Sequence, residues 1–543
     1  MSKSRNLALA ILSAVLLTFS WPVIGSSWLI FIAWIPLLLL AEQATRNDDI
    51  QLGVKPLFLL SHLTFFIWNV GTTWWIVNAS GVGAALAFIA NSFLMALVFV
   101  AVVQVRKKNP RLNTPWLLVP FWLAGEYLHH DWDLSWPWLT LGNAFADNIQ
   151  IIQWYEYTGS SGGSSWILCV NILLLTLYKK FTVQKSIKPT IRAISMVMLV
   201  PIMVSLTLFL TWKAKGETTS VSLVQPNIDP YGFKFDFSTL DDQLESFLKL
   251  AGTVTDSSTQ WLIGPETALV RSIGEDEFEE SKRIQKLRVL EQQYPKLNIL
   301  IGAETHKIYY PGQTVSATAR KDASGIHYDV FNTAVLLNDP AIFYHKSKLV
   351  PGVEQMPFPW FFSLFEDFAI ELGGTSGTLG KQDERTVMPS RDRKTIAAPA
   401  ICYESVFGDF LTQYVRKGAC FIAVITNDGW WGDTPGYKQH LAYAKLRAIE
   451  NRRDVVRSAN TGISCFINQR GEITRQLPYW KQGAIKQNIY CNTELTLFSR
   501  TGDLLGKTSV FLLVFMLVWI TSYSVLKTLK MKNTKKTQST SHS

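Results

Sequence analysis

Eight apolar runs, at about 6–20, 27–41, 56–77, 82–105, 115–128, 163–178, 193–212 and 508–526, each approach the roughly 20 residues that a bilayer-spanning helix needs. Seven of them crowd into the first 212 residues, and the eighth follows a long polar stretch. Hydrophobic residues make up 48% of the chain and charged ones only 17%, so much of the apolar surface must face lipid. The chain is therefore read as a polytopic helical membrane bundle over 1–212, a soluble domain over 213–506, a final span over 507–529, and a Lys/Thr/Ser-rich tail over 530–543 that is expected to be disordered.

Basic residues mark every second loop. Lys3 and Arg5 precede the first run, Arg46 and Lys55 flank the second loop, and Arg106, Lys107, Lys108 and Arg111 follow the fourth run. Lys179, Lys180, Lys185, Lys188 and Arg192 separate the sixth from the seventh, and Lys527, Lys530, Lys532, Lys535 and Lys536 follow the last. The positive-inside bias then puts both termini in the cytoplasm and 213–506 outside. The same clustering beside apolar spans explains the net charge of +10, so nucleic acid is not an expected partner. The first run has no small-x-small cleavage site; Trp28 resumes an apolar run directly after Gly25-Ser26-Ser27, as in a helical hairpin rather than a signal peptide.

Between Thr219 and Ile473 short β-rich runs alternate with polar, helix-like stretches, the pattern of a layered α/β domain. Strands are expected at Val221–Gln225, Gln260–Gly264, Asn298–Gly302, Asn332–Leu337, Thr395–Ile401, Phe421–Thr426 and Ile463–Ile467, and helices near 239–255, 277–294, 405–417 and 436–452.

Three reactive side chains sit where such runs give way to turns. Glu266 follows Gln260-Trp261-Leu262-Ile263 within Gly264-Pro265-Glu266-Thr267-Ala268, and reads either as a general base aimed into a cleft or as an acid near a helix N-terminus. Lys346 ends Ala341-Ile342-Phe343-Tyr344-His345; it is suited to stabilising an oxyanion, its alternative is a solvated edge lysine, and Lys348 is a rival. Cys402 closes Thr395–Ile401 just where a helix is expected to begin, and a thiol there meets backbone N–H groups and a positive helix end that favour thiolate. The other reading of Cys402 is a buried, inert residue. Together the three have the composition of an acyl-transferring or amide-handling site with a covalent thioester.

Pro265-Glu266-Thr267-Ala268, Tyr344-His345-Lys346 with Leu349-Val350-Pro351 and Glu354, Ile401-Cys402-Tyr403-Glu404, and Thr426-Asn427-Asp428-Gly429-Trp430-Trp431-Gly432 resemble the signatures of the apolipoprotein N-acyltransferases, membrane-embedded members of the nitrilase superfamily. Val224-Gln225-Pro226-Asn227-Ile228, Gln439-His440, Arg447-Ala448-Ile449-Glu450 and Arg500-Thr501-Gly502-Asp503 extend the resemblance over nearly the whole chain. It implies a nitrilase-like αββα sandwich outside a bacterial inner membrane, with Glu266 as base, Lys346 supporting the oxyanion, Cys402 as nucleophile, and Glu354, Tyr403 and Glu404 as accessory residues. It also implies transfer of an acyl chain from a phospholipid to the α-amine of a diacylglyceryl-cysteine in an apolipoprotein, by a monomer with no cofactor and no metal. The chain departs from the pattern at Gly264, where the family has Trp, and at Gly352-Val353 before Glu354, where it has Phe-Gly.

Met356 to Phe365 is too apolar for an ordinary extramembrane loop, and Phe358, Trp360, Phe361 and Phe362 are expected to form an arm through which lipid reaches the site, the alternative being a core helix. Trp430 and Trp431 either line the same cleft or are structural. Gly159-Ser160-Ser161-Gly162-Gly163 imitates a serine-hydrolase elbow, but it opens a span rather than following a strand. His129-His130-Asp131-Trp132-Asp133 imitates a metal cluster without ligand spacing and reads as an interfacial loop. Cys420, Cys465 and Cys491 read as buried core residues. Two rival functions share these residues: a membrane-tethered amidase using water as acceptor, and a transporter or lipid-binding protein carrying an inactive enzyme-like domain.

Overall fold

The computed structural model describes residues 3–46, 51–232, 234, 237–356 and 378–540. The arm residues Phe358, Trp360, Phe361 and Phe362 thus lie outside the described residues.

All eight apolar runs fold as helix. Among the described residues five segments are long and apolar enough to cross a bilayer: Ser27–Ala44, Gly81–Lys108, Tyr155–Thr182, Lys188–Thr211 and Leu504–Tyr523. The other three expected spans are also helical but lie outside these five. Leu118–His129 has 12 residues, about 18 Å at the α-helical rise. Lys3–Phe19 has 17 residues, and Val54–Thr73 carries polar groups that link helices, among them Thr64, whose hydroxyl donates to the Ala10 carbonyl at 3.0 Å, and Asn69, which accepts from Asn91 at 2.7 Å. The last helix does not stop at 529. It runs Leu504–Thr540, because no Gly or Pro follows Gly506, so the expected disordered tail is helical in its described part. At one end of the bundle Glu42 accepts from Arg106 and Lys179, drawing together the ends of three helices and the basic loops beside them.

The soluble segment builds two sheets. The first contains β1 (Glu217–Gln225), β2 (Trp261–Ile263), β3 (Leu269–Gly274), β4 (Asn298–Tyr309), β5 (Arg320–Lys321), β6 (His327–Leu336), β7 (Ile342–His345) and β14 (Gly483–Cys491), in the order β14-β1-β2-β4-β6-β5, with β3 also on β4 and β7 also on β6. The second contains β8 (Met388–Pro389), β9 (Ile396–Ile401), β10 (Phe421–Thr426), β11 (Asp454–Ala459), β12 (Cys465–Ile467) and β13 (Ile473–Gln476), in the order β13-β12-β11-β10-β9-β8. β1, β2 and β4 run parallel, as do β9, β10 and β11.

Alternation along the strands makes the layers. Val221, Leu223, Trp261, Ile263 and Leu300 join the core shared with the second sheet, where Trp261 meets Phe421 ring to ring at 5.3 Å. Their neighbours Val224, Leu262, Ile299 and Ile301 pack instead with Leu244, Phe247, Ile284 and Leu287 of helices Leu240–Gly252 and Lys282–Gln293. Helices Gly408–Arg416 and Pro435–Asn451 cover the second sheet, giving an αββα sandwich. Pro435–Asn451 is buried along almost its whole length because the bundle covers its outer side. Gln439 receives hydrogen bonds from the indoles of Trp75 and Trp138, and Tyr443 bonds the Trp21 indole at 3.0 Å and the Trp138 carbonyl at 2.9 Å. Arg452 forms a buried ion pair with Glu156, and Lys445 reaches Asp147 at 2.9 Å. The sandwich therefore rests on the end of the bundle opposite the Glu42 cluster.

Candidate active site

β2 ends at Ile263, and Gly264-Pro265 turns the chain so that Glu266 lies against β4, where the Gly302 N–H donates to the Pro265 carbonyl at 3.1 Å. Glycine at 264 has a local cause: a Cβ there would stand 2.7 Å from Ile301 and 3.1 Å from Phe247. Lys346 comes one residue after β7, its N–H still bonded to the Asn332 carbonyl of β6 at 2.8 Å. Its Nζ lies 2.8 Å from Glu354 and 3.2 Å from Glu266, with only 1% of the side chain exposed. Asn332 donates to the same two carboxylates, at 2.8 Å to Glu266 and 3.2 Å to Glu354. Glu354 also accepts from the Val350 N–H at 2.8 Å, so the turn carrying Gly352, at φ +78°, still delivers its acid to the lysine. Burial opposes the Lys346 charge, but Glu266 and Glu354 outweigh it and hold its pKa well above the ordinary lysine value. The two carboxylates thus favour the charged form of Lys346. The rival Lys348 points elsewhere, to Asp131 at 2.6 Å.

Cys402 follows β9 in a left-handed conformation, φ +50°, that a residue with a Cβ seldom adopts. Its carbonyl accepts from Ser405 at 2.8 Å and lies 3.1 Å from His440 Nε2. His440 Nδ1 is 3.0 Å from Asp428, which pairs with Arg457 and accepts from Thr426 at 2.8 Å. Burial works against ionisation of Asp428, yet Arg457 and His440 hold its carboxyl at about 2. A buried network thus holds the Cys402 turn from behind.

The expectation of a helix-activated thiolate is overturned. Cys402–Val406 is a short 3₁₀ turn, and the next helix starts only at Gly408. Burial, followed by the nearby Glu266 charge, raises the Cys402 thiol far above its ordinary pKa, with Lys346 and Thr426 opposing. The surroundings of Cys402 thus favour the protonated sulfur over the thiolate.

Glu404 and Tyr403 hold the site in place. The buried Glu404 carboxylate accepts from the Ile401 N–H at 2.8 Å, the Ser347 N–H at 2.7 Å, the Lys348 N–H at 3.2 Å and the Tyr344 hydroxyl at 2.6 Å, tying the cysteine turn to the lysine loop. Tyr403 donates to the Ser135 carbonyl at 2.7 Å and stacks on Trp136, joining the same turn to the bundle. Trp431 packs on Trp75, Trp138 and His440, which favours the structural alternative for it, while Trp430 meets Tyr231 at 5.4 Å. Sequence reasoning missed Asn332 and Lys234; the Lys234 Nζ donates to Thr267 Oγ1 at 2.5 Å and to the Glu266 carbonyl at 3.2 Å.

Residues 13–173 match the model of the apolipoprotein N-acyltransferase N-terminal domain, and residues 220–493 match that of the carbon-nitrogen hydrolases. An apolipoprotein N-acyltransferase of Chlorobaculum tepidum is 31% identical over 92% of this chain and 94% of its own length. The chain belongs to the apolipoprotein N-acyltransferase family. Proteins with that name from Geobacter metallireducens, 26% identical over 92% of both chains, and from Treponema denticola, 24% identical over 97% of this chain and 98% of that one, share essentially the whole length. Membership makes this chain an enzyme, and a carbon-nitrogen hydrolase domain with a buried cysteine fits acyl transfer through that cysteine.

Proposed function

We propose that the chain matures lipoproteins by moving an acyl chain from a phospholipid, through a thioester on Cys402, to the α-amine of a diacylglyceryl-cysteine. The observation that carries this reading is the buried constellation in which Lys346 bridges Glu266 and Glu354 beside the Cys402 thiol. Glu266 takes the thiol proton as sulfur adds to the ester carbonyl, and Lys346 stabilises the oxyanion. Collapse breaks the ester C–O bond, and Glu266 returns the proton to the departing lysophospholipid. The amine then attacks the thioester, Glu266 receives the amine proton, and the C–S bond breaks to restore the thiol. Glu354 balances the lysine charge throughout.

The basic loops at the end of the bundle away from the sandwich support cytoplasmic termini and a sandwich on the periplasmic side of an inner membrane. In that arrangement the acyl donor would come to the site from the outer leaflet of the same membrane. Mass spectrometry of the purified chain incubated with phospholipid tests the chemistry. An acyl adduct on the Cys402 peptide, with lysophospholipid released before any acceptor is added, is the expected result. Product formation without an adduct, or hydrolysis to free fatty acid that an acceptor amine leaves unchanged, would instead indicate direct transfer or an amidase-like enzyme.

A further inference from the structure

Lys234 lies in the loop after β1 and is only 2% exposed. The two acceptors of its Nζ, the Glu266 carbonyl and the Thr267 hydroxyl, sit on either side of one peptide bond. Thr267 holds φ +45°, a left-handed conformation that is costly for a β-branched residue. Lys234 is itself held on both sides: its N–H donates to the Asp229 carbonyl at 3.1 Å, and its carbonyl accepts from Gln243 at 3.3 Å. The ammonium therefore clamps the turn that aims the base.

Charge accounting gives it a second task. Around the thiol stand Glu266 and Glu354 behind β2 and β7, Lys346 behind β7, and Lys234, while Asp428 is matched by Arg457. Without Lys234 the two glutamates and Lys346 carry one net negative charge, before and after a proton moves from Cys402 to Glu266. With Lys234 the sum is zero, and a thiolate forms without excess like charge around it. We propose that Lys234 is a positioning residue of the acylation step, holding the Glu266 turn and supplying the second positive charge that lets Cys402 give up its proton.

This role presupposes the thioester chemistry above, yet thiol ionisation is measurable without lipid. Burial brings the Lys234 ammonium down to about 8, against the pull of Glu266 and Cys402, so its charge disappears in mildly alkaline solution. The titratable groups that act on it are Glu266 and Cys402, and Lys346 lies beyond, against Glu266. Iodoacetamide alkylation of the Cys402 peptide in the full chain, followed by mass spectrometry across pH, reads the thiolate directly. The wild-type rate should rise with pH and bend over above about pH 8. Lys234→Met should alkylate about tenfold or more slowly near neutrality, as expected for removing a neighbouring opposite charge. Lys234→Arg should keep the neutral-pH rate and lose the bend, because a guanidinium stays charged. Equal rates in wild type and Lys234→Met, or a bend that persists in Lys234→Arg, would overturn the role; the arginine arm decides alone if the methionine variant does not fold. Absence of any phospholipid-derived thioester, with the alkylation differences intact, would defeat the acyl-transfer reading and its acylation step while leaving the effect of Lys234 on Cys402 ionisation standing.

Discussion

A neutral buried thiol needs its base and its cations at the moment of attack, which makes single substitutions informative. Cys402→Ala should remove the acyl adduct entirely, Glu266→Gln should suppress its formation, and Lys346→Ala should slow it by the ~10²–10³ typical of a lost oxyanion donor; quench-flow with mass detection reads all three. Glu404 should behave differently. Its carboxylate satisfies four donors, so Glu404→Ala leaves them unpaired at about 1–3 kcal/mol each and should lower the thermal unfolding temperature as well as activity. Glu266, Lys346 and Cys402 stand out in the sequence because each ends an apolar run, and the fold brings the three together. Asn332 and Lys234 do not stand out there: the first lies inside a strand, the second in a polar loop, and both matter through partners distant in the chain. The expected thiolate followed from a strand-to-helix turn in the sequence, whereas burial and the Glu266 carboxylate push the thiol's pKa up.

Elements set the geometry that these groups rely on. Gly302 of β4 lies under the Glu266 turn, and a Cβ there would stand 2.5 Å from the Pro265 carbonyl oxygen and 2.7 Å from Glu266 Cα. Gly302→Ala should displace the base and cut kcat by about 10² while far-UV circular dichroism stays native; an unchanged kcat would show that the turn yields without cost. The seven expected strands all formed, some longer and some shorter than anticipated, because their apolar runs are bounded by turn residues. β11 was overlooked for a physical reason: Asp454 and Arg457 interrupt its apolar pattern, yet both are buried, the arginine in the network behind Cys402. The short strands β3, β5, β7 and β8 likewise carry too little pattern of their own and are made by their neighbours.

For the molecule as a whole, the alternation of basic loops predicts sidedness. Ala214→Cys and Lys185→Cys, both exposed and at opposite ends of the bundle, should react with a membrane-impermeant maleimide from opposite faces in right-side-out and inverted vesicles, Ala214→Cys from the periplasmic face. Labelling of both from one face would defeat the topology. The bundle was readable from apolar length, but the interface that seats the sandwich on it was not, since Gln439, Tyr443 and Arg452 meet residues about 300 or more positions away. The pairing of β1 with β14, from Glu217 opposite Cys491 to Gln225 opposite Gly483, bears on how the protein is born. A ribosome must release everything through Cys491 before the first sheet gains its outer strand, and the helices Leu497–Thr501 and Leu504–Thr540 are made only after that. Until then β1 is an open edge, and the sheet whose strands lead into Glu266 and Lys346 is one strand short.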